Sequence, residues 1–295
     1  MLGLFTSVVV CLVVFPLVAS VRRWGDRAPV VGIALWLAVG VVGWLSLLAL
    51  FICMAGGQAS TVQGSLSWLA SSFHRGHPLQ GMTIRSAVGL TLAIDLVVLM
   101  VGALTLGLVR LRRARSRQRS VVDLVAQVDP RLGVHVVDHE QPVAYFVPGA
   151  GGRIVLSTGT FDHLGEEAAR AVVAHEMGHR GGWHGAVLAP LEAWAPFVTF
   201  VPYARCVSSE LRGYLEMAAD DSARRTVGVA AIRAALAKAS VFAPSPRMAL
   251  GLSSDLIERR MARLEKGVTS KALNRCAVVA VTTIATLGLC ALGVL

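Results

Sequence analysis

The sequence predicts a mainly α membrane protein, with four transmembrane helices and one α+β domain between the third and the fourth. Three observations lead there. The 295 residues are 55% hydrophobic and 16% charged, with a mean hydropathy of +0.63, too apolar for an ordinary soluble domain. Four apolar segments, 2–21, 29–55, 87–111 and 276–295, are long enough to cross about 30 Å of hydrocarbon, which takes roughly 20 helical residues. The stretch 112–275 carries strand and helix patterns of its own.

Charge sets the expected orientation. The first span has no basic residues before it, and Arg22 and Arg23 follow it, so it reads as a retained span with its N-terminus outside rather than a signal peptide. The loop "RRWGDR" is basic. The loop between the second and third spans holds only Arg75 before Arg85. "RLRRARSRQR" after the third span is densely basic. Lys and Arg stay on the cytoplasmic side, which places 112–275 in the cytosol of a multi-pass cell-membrane protein with both termini outside. The formal charge of +10 is then a topology signal. The basic run abuts a span and has no interleaved aromatics, which fits anionic lipid and no direct nucleic acid. The five cysteines show no CxxC spacing, so neither a disulfide framework nor a thiolate metal site is expected. Asp95 sits near the middle of the third span. A carboxyl there is costly, and is either functional or packed against another helix.

Within the domain, "GVHVVDHEQPVAYFV" reads as strand, turn, strand, and "GGRIVLSTGTF" as a turn at Gly151–Gly152 followed by a strand. "DHLGEEAARAVVAHEMGHR" reads as a helix capped by Asp162, with Glu166 and Glu167 in its first turn and Gly181 and Gly182 at its end. Further helices are expected over 208–227, over "VAAIRAALAKASV" and over "LSSDLIERRMARLEKG". The segment 186–204 is apolar but broken by Pro190, Pro196 and Pro202. It reads as a membrane-dipping hairpin or a cover on the core.

The stretch "VVAHEMGHR" carries the chemistry. On a helix, His175 and His179 are four apart and project from one face, at the spacing that chelates one ion. Glu176 adjoins the first ligand and is placed as the general base toward a water that zinc activates. The preceding "AARAVVA" is small and apolar, so the helix is buried, where unpaired His and Glu would be expensive. A catalytic zinc needs a third protein ligand. A metzincin pattern needs His at position 185, which is Gly, and His184 comes one residue early. Glu192 is open as a ligand but its surroundings are broken by proline. Glu216 fits better, because Asp220 lies one turn later on the same face and can receive the N–H of a ligating histidine. Asp221 faces elsewhere and reads as a surface residue. Tyr214, Arg224 and Arg225 are unranked candidates for stabilising an oxyanion. His184 reads as a helix-end residue; His135, His139 and His163 have no expected role, and His74 and His77 fall across the membrane.

"IVLSTGTFDHLGEEAARAVVAHEMGHR" followed by "YLEMAADDSA" resembles the gluzincin membrane metallopeptidases, with HExxH and a later ExxxD. Three spans before the zinc domain and one after it are similar to the BlaR/MecR antirepressor family; HtpX-like and CAAX-protease relatives share the site motifs. The resemblance implies zinc on His175, His179 and Glu216, Glu176 as base and Asp220 behind the ligands. It also implies a cytosolic transcriptional repressor of winged-helix type as substrate. The penicillin-sensor domain of that family is not in this sequence, so a signal is expected to enter through residues 56–81, the spans or a separate sensor partner. A homo-oligomer stays open, as do a membrane quality-control protease and a non-catalytic membrane signalling protein.

Overall fold

The computed structural model describes residues 2–15, 24–56, 61–74, 82–181, 184–198, 202–241 and 254–266. Helix α1 (Leu2–Val9) runs on through a π-type turn at Val10–Val14 and packs against α2 (Pro29–Ala55), with Ser7 Oγ 2.9 Å from Ser46 Oγ. A short helix α3 (Val62–His74) also lies on α2. Helix α4 (Ile84–Val125) is capped by Thr83, whose hydroxyl accepts the N–H of Ser86 at 3.2 Å. Among the described residues, α2 and α4 are the helices long and apolar enough to cross a membrane. The expected segment 276–295 lies outside the described residues, as do Arg22, Arg23, Arg75, His77 and Gly182.

The expected boundary at residue 111 falls inside one continuous helix. Residues 108–125 contain no Gly or Pro, and apart from Ser116 the basic run is built of Arg, Ala, Leu and Gln, all strong helix formers, so nothing stops α4 where the apolar stretch ends. Asp95 lies on its exposed face.

The sheet corrects the expected hairpin. Strand β1 (Gln127–Asp129) pairs antiparallel with β2 (Val134–Val137), but β2 does not pair with β3 (Ala144–Val147). Strand β4 (Arg153–Ser157) lies between them, parallel to β2 and antiparallel to β3, giving the order β1-β2-β4-β3. The link 138–143 is too long for a tight turn and is fastened elsewhere. The Ser157 hydroxyl donates to Gln141 O at 2.7 Å, Val143 N donates to Ser157 Oγ at 2.8 Å, and Thr160 Oγ1 donates to Val143 O at 2.8 Å. These bonds hold the start of β3 against the end of β4.

Ser157 also caps α5 (Thr158–Leu164), accepting the N–H of Thr160. Asp162 is therefore inside α5 and caps nothing. Gly165, at φ 79°, turns the chain before α6 (Glu166–Gly181) begins; that left-handed conformation is open to glycine at little cost. The proline-broken segment is mostly helical: α7 (His184–Val198) holds Pro190 and Pro196 within it and covers α4 and α8. Helix α8 (Pro202–Val227) starts a turn and a half earlier than expected, with proline at its first position. Helices α9 (Val229–Val241) and α10 (Ser254–Lys266) follow.

Among the described residues the core has four parts: Val122 of α4 packs on Val147 and Val155 of the sheet, and the other three are built on α6 or α8. Trp36 and Ile33 of α2 pack on Leu211, Tyr214 and Leu215 of α8. Ala168 and Ala171 of α6 meet Ala223 of α8, Ile232 and Leu236 of α9 and Leu264 of α10. Val134, Ile154 and Leu156 of the sheet cover Val173 on the other side of α6. Polar ties fasten α10 across the molecule. Arg259 binds Asp26 and, at 2.9 Å, Glu210. Arg263 donates to Asp26 O at 2.7 Å and grips both oxygens of Asp221 at 2.6 and 2.7 Å. Asp221 is thus a clamped partner of α10, not the surface residue its position suggested.

Asp26→Ala removes one of the two carboxylates that hold a guanidinium only 10% exposed and leaves Glu210 as its counter-charge. It is expected to destabilise the fold by about 2 kcal/mol, the worth of hydrogen bonds between charged groups. Glu166→Ala, in a pair whose side chains are 60% and 73% exposed, should stay within about 0.5 kcal/mol. Chemical unfolding of both variants tests this, and equal losses would contradict it.

Candidate active site

Helices α6 and α8 meet through small residues. A Cβ added at Gly178 would lie 3.0 Å from Ala219 O and 3.1 Å from Ala219 Cα, so only glycine allows this approach without displacement. The contact brings the histidine face of α6 onto the acidic face of α8. His175 Nε2 lies 3.1 Å from Glu216 Oε2, His179 Nε2 lies 3.3 Å from Glu216 Oε1, and the two Nε2 atoms are 3.3 Å apart. Zinc in a tetrahedral site with bonds near 2.05 Å requires edges between ligand atoms of about 3.3 Å. The closest contacts approach that spacing, each histidine facing a different oxygen of Glu216, and one ligand atom from each of His175, His179 and Glu216 lies within 4.8 Å of the other two, so the three side chains could hold a metal ion between them.

A second layer fixes the first. Asp220, 1% exposed, receives His175 Nδ1–H at 2.8 Å, which leaves Nε2 to face the cation. Arg260 of α10 grips Asp220 with Nε at 2.8 Å and Nη2 at 2.7 Å, and its Nη1 is 3.3 Å from Glu216 Oε2. Burial would raise the Asp220 pKa, but Arg260 outweighs it and holds the carboxyl below its ordinary range. Burial likewise opposes ionisation of Glu216, and the hydrogen bonds from His175 and His179 override it and keep it well below its ordinary value. Burial lowers the pKa of His175, while Asp220 and Glu216 push the other way and prevail, to about 10. Glu176 projects into the cleft beside the ligands, and burial pushes its carboxyl up, toward a group able to carry a proton.

His184, at the start of α7, places Nδ1 3.0 Å from His179 Nδ1. It is buried, and burial followed by the neighbouring His179 lowers its pKa to about 4. Neutral, it orients His179 from behind. His179 Nε2 is the atom that turns to His175 and Glu216, so His184 lies behind the candidate ligands rather than among them.

The ligands floor a cleft of about 520 Å³. Strand β3, at the sheet edge, forms part of its rim. Glu192, the other candidate ligand, lies in the rim and binds Arg115 at 3.2 Å and Arg212 at 2.9 Å instead of the histidines. None of the oxyanion candidates lines the cleft. Tyr214 is buried between α8 and α2, close against Gly25 and Gly32; Arg224 lies 3.9 Å from Asp221, and Arg225 is exposed. His135 is 3.9 Å from Asp123, and neither it, His139 nor His163 reaches the cleft. Arg260 and the role of His184 were not foreseen. Asp220 signalled that a cation was needed, since a buried carboxylate needs a partner, but not which arginine supplies it.

Two histidines, a glutamate, the Asp220–Arg260 pair behind His175 and a neighbouring carboxyl on a cleft floor make a site of metallopeptidase type. Residues 110–243, which include both ligand-bearing helices, match the sequence model of Peptidase family M48, whose members are zinc-dependent. The match supports a metallopeptidase hydrolase. No curated protein sequence and no solved structure matches the chain.

Two outcomes follow for metal binding. Arg260→Met leaves Asp220 buried without its cation, and zinc affinity should fall roughly 10–100-fold, the usual cost of losing outer support; competition with a chelating dye measures it, and unchanged affinity would refute the role. Below pH 10 the proton on His175 competes with a cation, so raising the pH favours the metal. Zinc affinity should climb about tenfold per unit across pH 6–8 with one proton released. Calorimetry in buffers of different ionisation enthalpy counts that proton.

Proposed function

We propose that this chain is a membrane-embedded zinc endopeptidase that cleaves a protein at the cytosolic face. The observation that carries the reading is the convergence of His175, His179 and Glu216, whose ligand atoms lie within 4.8 Å of one another, beside Glu176 in an open cleft. When bound there, zinc would supply a Lewis acid that lowers the pKa of water and polarises a peptide carbonyl. The protein does the rest. His175, His179 and Glu216 hold the ion, and Asp220 with Arg260 fixes the tautomer of His175. Glu176 takes the proton of the attacking water and passes it to the departing amine nitrogen; a raised pKa suits that double duty. Strand β3 presents an unpaired edge along the cleft, where an extended peptide can add as a further strand.

The two apolar helices and the basic extension of α4 support the membrane placement and the cytosolic side. As substrate we propose a transcriptional repressor, on the similarity to the antirepressor group. A second reading, a membrane quality-control protease of broad specificity, rests on the same site geometry and on the match to Peptidase family M48.

Glu176→Gln should keep one zinc per chain and lose at least about 10³-fold in cleavage, the order that proton transfer contributes. Metal analysis and cleavage of a co-expressed winged-helix repressor test the pair of claims. A Gln variant that cuts like the parent would remove the mechanism. An intact repressor beside degraded unfolded membrane proteins would favour the second reading.

A further inference from the structure

Two walls of the cleft are unlike. One is apolar, formed by Leu164, Ala171, Val172, Ile232 and Leu236. The other joins three helices by charge, through Arg115 of α4, Glu192 of α7 and Arg212 of α8. Two guanidiniums share one carboxylate, so the cluster keeps a net charge of +1. Its side chains are 21%, 25% and 33% exposed, open to the cleft rather than sealed in the core. Glu192 takes a single N–H from each arginine, and a guanidinium carries five, so donors remain for another acceptor.

Position decides what that acceptor is. Arg212 precedes the ligand Glu216 by one turn of α8, about 6 Å. An extended peptide advances about 3.3 Å per residue, so a side chain meeting Arg212 belongs to a residue within about two of the bond being cut. The fork geometry of arginine suits a carboxylate.

We propose that Arg115 and Arg212 form a specificity subsite for an acidic side chain of the substrate, with Glu192 holding the two arginines in register when no substrate is present. The proposal rests on the peptidase reading and names a preference within it. Glu192 also moderates the subsite, because its own charge repels the incoming carboxylate.

The test uses the full-length, zinc-loaded chain in detergent with a library of proteome-derived peptides, cut positions being read by mass spectrometry. Matched peptides with Asp or Asn, and Glu or Gln, at the preferred position follow. The acidic member should be favoured about tenfold at low salt, a magnitude set by charge-assisted hydrogen bonds discounted for exposure, and the ratio should shrink as salt rises. Glu192→Gln should widen the ratio; Arg115→Gln and Arg212→Gln should each bring it toward one. The same labelled pairs are bound to the Glu176→Gln chain, so the preference is also read without turnover. Equal cleavage and equal binding of acid and amide peptides by the unaltered chain would overturn the subsite, whatever the variants do, and would leave the peptidase reading standing. No cleavage of any peptide would strike the peptidase reading instead, and the binding comparison would still decide the subsite.

Discussion

The close contact of α6 with α8 governs everything else. Ligand atoms have to meet within a few tenths of an ångström, and they come from helices distant in sequence. Gly178 against Ala219 sets the distance between the axes. Alanines at 168, 171 and 223 extend the same thin seam. Nothing bulky can enter that seam, so the helices must be held from outside: by the sheet on one side, by α9 and α10 on another, and by α2 behind α8. The core is arranged as a clamp around two ligand helices.

Electrostatics then completes what packing begins. The buried cluster contains Asp220, Glu216, His175 and Arg260, and no member is tolerable alone. Arg260 reaches it from α10, a helix remote in sequence whose other arginines hold Asp26, Glu210 and Asp221. The site therefore depends on a helix that contributes no ligand. Removing α10's grip would disturb the turn at Trp24–Arg27 and the carboxylate behind His175 together.

The local chemistry was legible in the sequence and the long-range pairing was not. The HEMGH spacing and the Glu216–Asp220 pair stand on helix periodicity, which one chain segment determines by itself. So do the helices at α9 and α10. The sheet order failed because two β-rich stretches six residues apart look like a hairpin. The side-chain bonds of Ser157 and Thr160 that seat β4 between them have no periodic signature. Asp162 looked like a cap because aspartate caps helices in general; a serine five residues earlier had already taken that place. Arg260 could not be chosen among the arginines of the domain, since a salt bridge across 40 residues leaves no mark at either end. Tyr214, one of three unranked oxyanion candidates, shows the reverse: its ring fills the space beside Gly25 and Gly32, a packing role that a single polar tip on α8 does not reveal.

The length of α4 has a mechanical consequence. At 1.5 Å per residue its 42 residues make a rod of about 63 Å. The apolar half points away from the cleft. The other half carries Arg115 on Glu192, Arg119 on the carbonyl of Pro148 at 2.8 Å, and Asp123 on Arg153 at 2.9 and 3.0 Å, three grips at four-residue intervals. Packing against α2 and α7 steadies the rest of the rod, and one degree of tilt displaces one end relative to the other by about 1 Å. Arg115 lines the cleft, so a tilt of α4 about these grips would change the width of the cleft mouth.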